Sequence, residues 1–206
     1  PIILLVLFVL VFLFNCMKKT EGITSLKNSC VTLIFIGGLV GVIALFRYDV
    51  GFFVLSATIL SLGYFYYIYK ENLNIEVKWI YFSCFFIAVG AIFVFSPYAI
   101  WILKQGAFLA FIHDIYEYPS KNYVAMRSLP FPISLKTEIM VYAPLGSVFF
   151  SGFLLFYNTF KKREIFNEIQ KIIIFTLSIF SIFLYLKGVV RVSTLHMLSS
   201  IIVSFI

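Results

Sequence analysis

Charge is scarce in this chain. Of 206 residues, 16 are Lys or Arg and 9 are Asp or Glu, so 12% are charged, where a soluble domain carries about 25%. Histidine occurs twice and cysteine three times. So few ionisable groups exclude a nucleic-acid-binding module or a disordered tail, both of which depend on abundant charge. Three cysteines exclude a secreted disulfide scaffold. What is present instead is apolar: 62% of residues are hydrophobic and 20% aromatic, with a mean hydropathy of +1.04. A water-soluble fold has no interior large enough to hide that much apolar surface, so lipid is the solvent for most of the chain. The sequence reads as an integral membrane protein.

Seven apolar segments stand out, at 1–16, 29–46, 52–69, 79–100, 141–160, 171–187 and 192–206. Backbone groups in hydrocarbon must be satisfied internally, and none of these runs has the period-2 alternation of a barrel strand. The expected fold is therefore all-α: one transmembrane helix bundle over 1–206 of about seven spans, with an extracytoplasmic segment at 101–140. The first and last runs are shorter than the roughly 20 residues a crossing needs. The chain begins at Pro1 and stops at Ile206, each inside an apolar run, with no n-region or cleavage site. The expectation is an internal piece of a longer membrane protein, whose first run is not a signal peptide.

Basic residues set the orientation. Connections 17–28, 70–78 and 161–170 carry Lys18, Lys19, Lys27, Lys70, Lys78, Lys161, Lys162 and Arg163, with Lys171 just beyond. The short connections on the other side hold Arg47, Lys187 and Arg191. Nine against three, in short loops, places the first set in the cytoplasm. The net charge of +7 is largely this bias and does not point to nucleic acid. Cys16, Cys30 and Cys84 then fall near cytoplasmic helix ends and read as small core hydrophobes. Trp79 and Trp101, with the cluster Tyr64, Tyr66, Tyr67 and Tyr69, read as interfacial belts. Gly37 and Gly41 form a GxxxG pair that allows close helix approach.

Three outward-facing places break the apolar pattern. The first is the turn Arg47-Tyr48-Asp49-Val50-Gly51, whose ion pair neutralises itself at the boundary and whose Arg also suits an anionic ligand. The second is 101–140, where Ala107–Tyr116 carries a helical apolar stripe fit for the interface. Pro119, Pro130 and Pro132 forbid a continuous helix beyond it. His113, Asp114 and Glu117 lie within it, and a solvated helix face is the better reading than a metal site there. The third is Lys187-Gly188-Val189-Val190-Arg191-Val192-Ser193-Thr194-Leu195-His196, where two cations and a His gather at an outer junction. A phosphate at headgroup depth is the anion such a group would hold, with Arg offering bidentate hydrogen bonds.

In order and spacing these features resemble the C-terminal transmembrane half of GT-C glycosyltransferases, the superfamily of protein O-mannosyltransferases and lipid A aminoarabinose transferases. Arg47, Asp49 and Gly51 match an R-x-D-x-G turn after a glycine-rich span. Arg127, Leu129, Pro130 and Pro132 match an R-x-L-P-x-P pattern. Arg191 and His196 match R-x-D-x-x-H, with Ser193 where the family has Asp, a lost charge that bears on substrate or activity. The resemblance implies sugar transfer from a polyprenyl-phosphate donor to an acceptor on the extracytoplasmic face of the bacterial inner (cytoplasmic) membrane, without a nucleotide-sugar, cofactor or metal. It assigns the donor phosphate to Arg191, His196, Arg127 and Arg47, with Asp49, Ser193, Lys187 and Tyr118 as polar support. The catalytic carboxylate would lie in an N-terminal outer loop outside this sequence. The implied partners are the lipid-linked donor and membrane lipid. A transporter or flippase for an anionic cargo is the competing reading, as is an O-antigen ligase or polymerase. Spans nearly free of charge and the absence of a repeat between the halves favour the enzyme over the carrier.

Overall fold

The computed structural model describes residues 2–19, 24–70, 76–118, 121, 135–160, 166–188 and 202–203. The described residues are helical apart from short turns, and no strand occurs among them. Helices α1 (Ile2–Lys19), α2 (Thr24–Phe46), α3 (Tyr48–Tyr69) and α4 (Lys78–Lys104) are followed by the short α5 (Phe108–Ile112). One turn of wider π-helix, π1 (His113–Glu117), continues from it, and α6 (Leu135–Phe160) and α7 (Glu168–Gly188) complete the order. Four of these, α2, α3, α4 and α7, are long and apolar enough to cross a membrane. Shorter apolar stretches lie in α1 and α6, at Ile2–Cys16 and Tyr142–Tyr157. The all-helical, membrane-compatible class is thus what the composition demanded.

The helices begin earlier than hydropathy alone places them, because caps and polar first turns are invisible to an apolar count. Helix α7 starts at Glu168, not 171, behind a reciprocal capping box. The Gln170 amide donates to Asn167 Oδ1 (3.0 Å) and the Asn167 amide to Gln170 Oε1 (2.9 Å). Helix α3 likewise takes in Tyr48 and Asp49, so the reversal between α2 and α3 shrinks to the single residue Arg47. Inside α4, Pro97 cannot donate to the Phe93 carbonyl. The neighbouring Ser96 hydroxyl does so at 3.1 Å and keeps the helix going. Thr58, Ser61 and Ser178 similarly return their hydroxyls to carbonyls one turn back, at 2.7–2.8 Å, so none needs a polar partner across the bundle.

Packing fixes the helix directions. Gly37 backs onto Ile87 and Gly41 onto Ala91, in step, so α2 and α4 run parallel with their backbones in contact. Tyr64 stacks on Phe175 with ring centroids 4.0 Å apart, and Phe53 meets Phe183 at 6.0 Å. Helices α3 and α7 are therefore antiparallel. At one end of the bundle Phe14 stacks on Phe65 at 4.8 Å, and Phe65 also touches Tyr69 and Trp79. Trp79 and Tyr69 are buried there (5% and 2% exposed) and belong to the core rather than to an interfacial belt. Trp101, 57% exposed near the opposite end, and Tyr67 do face outward. Val203 packs into the same core, so the last apolar run touches the bundle.

Candidate functional site

The end of the bundle opposite the Phe14–Phe65 cluster is where α2 turns into α3. Arg47 is extended (φ −152°, ψ 95°). Its amide closes α2 on the Ile43 carbonyl at 2.7 Å, and its carbonyl receives the first bond of α3 from the Gly51 amide at 2.9 Å. So abrupt a reversal presses the two helices together. A Cβ at Gly51 would stand 2.6 Å from Ala44 Cβ, so glycine is required here for close approach.

Arg47 grips Asp49 with two donors, Nε to Oδ1 at 3.2 Å and Nη2 to Oδ2 at 2.7 Å. The side chains are 57% and 33% exposed, so both poles remain reachable from solvent or headgroups. A forked pair of this kind fixes geometry. It leaves the turn net neutral, in line with the self-neutralising pair that the sequence offered beside an anion-binding Arg.

Between them, Tyr48 reaches the segment that follows α4: its hydroxyl donates to the Ile115 carbonyl at 3.0 Å, across 67 positions of sequence. That segment is positioned by the end of α4. Gly106 takes the left-handed conformation (φ 63°), its amide donates to the Leu103 carbonyl and the Ala107 amide to the Ile102 carbonyl, both at 3.1 Å. This Schellman closure stops α4 and redirects the chain into α5 and π1. The helical winding expected over Ala107–Tyr116 is present from Phe108 onward, but its second half winds as a π-turn. Such turns are rare and often sit at functional sites. Tyr48→Phe is expected to loosen 113–117 by about 1 kcal/mol, roughly a fivefold rise in local opening, read as faster amide exchange of those residues.

His113 Nδ1 lies 3.2 Å from Asp114 Oδ1, whereas Glu117 lies 3.7 Å from Lys121 Nζ. Among the described residues no three His, Cys, Asp or Glu side chains come together as metal ligands. Tyr118 is exposed, with its ring 6.4 Å from that of His113. The end of α7 includes the Lys187 backbone, and the Lys187 side chain lies outside what is described, as do Arg127, Arg191, Ser193 and His196.

Directly below the Arg47–Asp49 pair lies a wholly apolar groove of about 260 Å³ between α2, α3 and α4. Gly41, Ala44 and Gly51 deepen it, and Phe52, Ile92 and Phe95 flank it. Tyr48 and this groove escaped the sequence reading. The pattern offered one signal, the small residues Gly41, Ala44 and Gly51 at the ends of consecutive spans, which leave room that large side chains would fill.

Fold and site together define a helical membrane protein with a polar rim at one end of its bundle. Compared with protein-family models, with curated proteins and with solved structures, the chain matches none.

Proposed function

We propose that this chain is the donor side of a membrane glycosyltransferase, holding a polyprenyl-phosphate-linked sugar at the extracytoplasmic face of a bacterial inner membrane. The reading includes the full seven-span topology, with α1, α6 and 192–206 completing the set begun by the four longer helices. One observation carries it: the Tyr48–Ile115 hydrogen bond joins the Arg47 turn to the outer segment, so two of the three polar places along the sequence share one rim. That is the end to which the distribution of Lys and Arg assigns Arg127, Arg191 and His196. Because the Asp49 carboxylate beside Arg47 would face a lone anion, the phosphate grip falls to Arg127, Arg191 and His196, with Arg47 bordering it.

In such a reaction the departing lipid phosphate gains charge as the glycosidic bond breaks, and fixed cations lower that barrier. The acceptor hydroxyl needs a general base, supplied from outside this sequence in the family it resembles. The test is photolabelling of the protein in native membranes with a short diazirine-bearing polyprenyl phosphate. Labelled peptides from 101–140 and 187–196, competed away by unlabelled polyprenyl phosphate, are the expected result. Labelling confined to peptides of 70–78 or 161–171 contradicts the proposal. A transporter would instead show labelled residues near the middle of the spans.

A further inference from the structure

We infer that the Arg47–Asp49 pair and the groove beneath it form a binding site for a phospholipid whose headgroup carries a primary ammonium, of the phosphatidylethanolamine class. The site is distinct from the phosphate grip proposed above and does not depend on it.

The groove comes first. Its lining is apolar throughout, so it offers nothing to hold water. Phe52 and Ile92 on its flanks are 64% and 65% exposed, which in a membrane means facing acyl chains. It runs along Val40–Ala44, Gly51–Leu55 and Ala91–Phe95, about 6 Å of helix at roughly 1.5 Å per residue. That length seats the first methylenes of one chain. The ion pair heads this groove: Ala44 lies three residues before Arg47, and Phe52 three after Asp49 on the same face of α3.

Charge then selects the occupant. A guanidinium has five N–H donors, and Arg47 uses one on Nε and one on Nη2 for Asp49. The donors left over suit a phosphate. The Asp49 carboxylate keeps lone pairs that suit an N–H cation. A lone anion, whether phosphatidylglycerol or a polyprenyl phosphate, would gain the guanidinium but face the carboxylate beside it. A choline headgroup has the cation but no N–H to donate. Of these headgroups only ethanolamine, a phosphate zwitterion ending in –NH₃⁺, satisfies both poles at once. The segment after α4 adds a further exposed ion pair, Lys121 beside Glu117.

The experiment places the purified chain in nanodiscs of equal ethanolamine, glycerol and choline phospholipid and identifies the lipid retained on release by native mass spectrometry. Ethanolamine lipid should be enriched over each of the others, on the order of tenfold, as one charge-assisted hydrogen bond provides. Asp49→Asn should remove that preference and Asp49→Glu should keep it. Ile92→Trp, which fills the groove from its lipid-facing flank, should lose retained lipid of every kind. Thermal unfolding of each variant confirms that the bundle is intact, and Asp49→Glu and Ile92→Trp still decide the matter if Asp49→Asn does not fold. Equal retention of the three lipids overturns the inference. So does enrichment of the glycerol lipid, or displacement of ethanolamine lipid by an equal amount of polyprenyl phosphate.

Discussion

Gly37→Leu should disrupt the bundle, with a loss of about 3 kcal/mol, while Gly38→Ala one position along should be nearly silent. The contrast follows from where each Cβ would go. At Gly37 it would run into the Ile87 carbonyl, with Ile87 C and Cα only 2.8 and 2.9 Å away. These are backbone atoms of α4, which cannot swing aside as a side chain can. Gly90 presents the reciprocal case, its Cβ running into the Ile34 carbonyl with the Gly38 amide nitrogen at 2.9 Å. A substituent at either position must push α2 and α4 apart along their length. In lipid, close backbone approach is the main source of helix association, so the loss is not offset by burying more hydrocarbon. A Cβ at Gly38 meets only the end of Val94, at an ordinary 3.7 Å. Thermal unfolding in mild detergent reads the difference: a large fall in midpoint for Gly37→Leu and Gly90→Leu, and little change for Gly38→Ala. Equal behaviour of Gly37 and Gly38 variants would remove the parallel α2–α4 contact as the organising feature of the fold.

Arg191→Ala and His196→Ala are expected to lower sugar transfer by about 10²- to 10³-fold each, the usual loss when a fixed group facing developing charge is removed. Membrane insertion and expression should be unchanged if the proposed role in donor binding is the one these residues have. The assay is transfer from a polyprenyl-phosphate sugar by native membranes containing the protein. A donor-binding role predicts that neutral His196→Gln also loses activity and that Arg191→Lys retains part of it, since a point charge replaces the guanidinium fork imperfectly. Undiminished transfer by both alanine variants would take the phosphate away from this junction.

The class of the fold was legible because composition alone decides the solvent. With charge at 12% and hydrophobic residues at 62%, only helices closed on their own hydrogen bonds satisfy the backbone. The Gly37–Gly41 pair was legible too, and it does bring α2 against α4. Helix limits were less so, since Asn167 and Gln170 start α7 by a capping exchange that hydropathy ignores. Trp79 and Tyr69 misled for a related reason. Aromatic residues near a span's end usually mark the interface, but here Phe65, itself stacked on Phe14, packs against both. At the rim, spacing located Arg47, Asp49 and Gly51 together. It did not show that the pair is bidentate, or that Tyr48 ties the turn to Ile115, because a contact across 67 residues leaves no trace in local pattern.

Sidedness is the premise on which the rest is built, and cysteine accessibility reads it directly. In a background with Cys16, Cys30 and Cys84 replaced by Ser, Tyr116→Cys and Lys78→Cys place single thiols on well-exposed positions at opposite ends of the bundle. A membrane-impermeant maleimide added to intact cells should label Tyr116→Cys, and should reach Lys78→Cys only after the membrane is opened. Labelling of Lys78→Cys in intact cells with Tyr116→Cys protected would put the Arg47 rim in the cytoplasm and contradict the account.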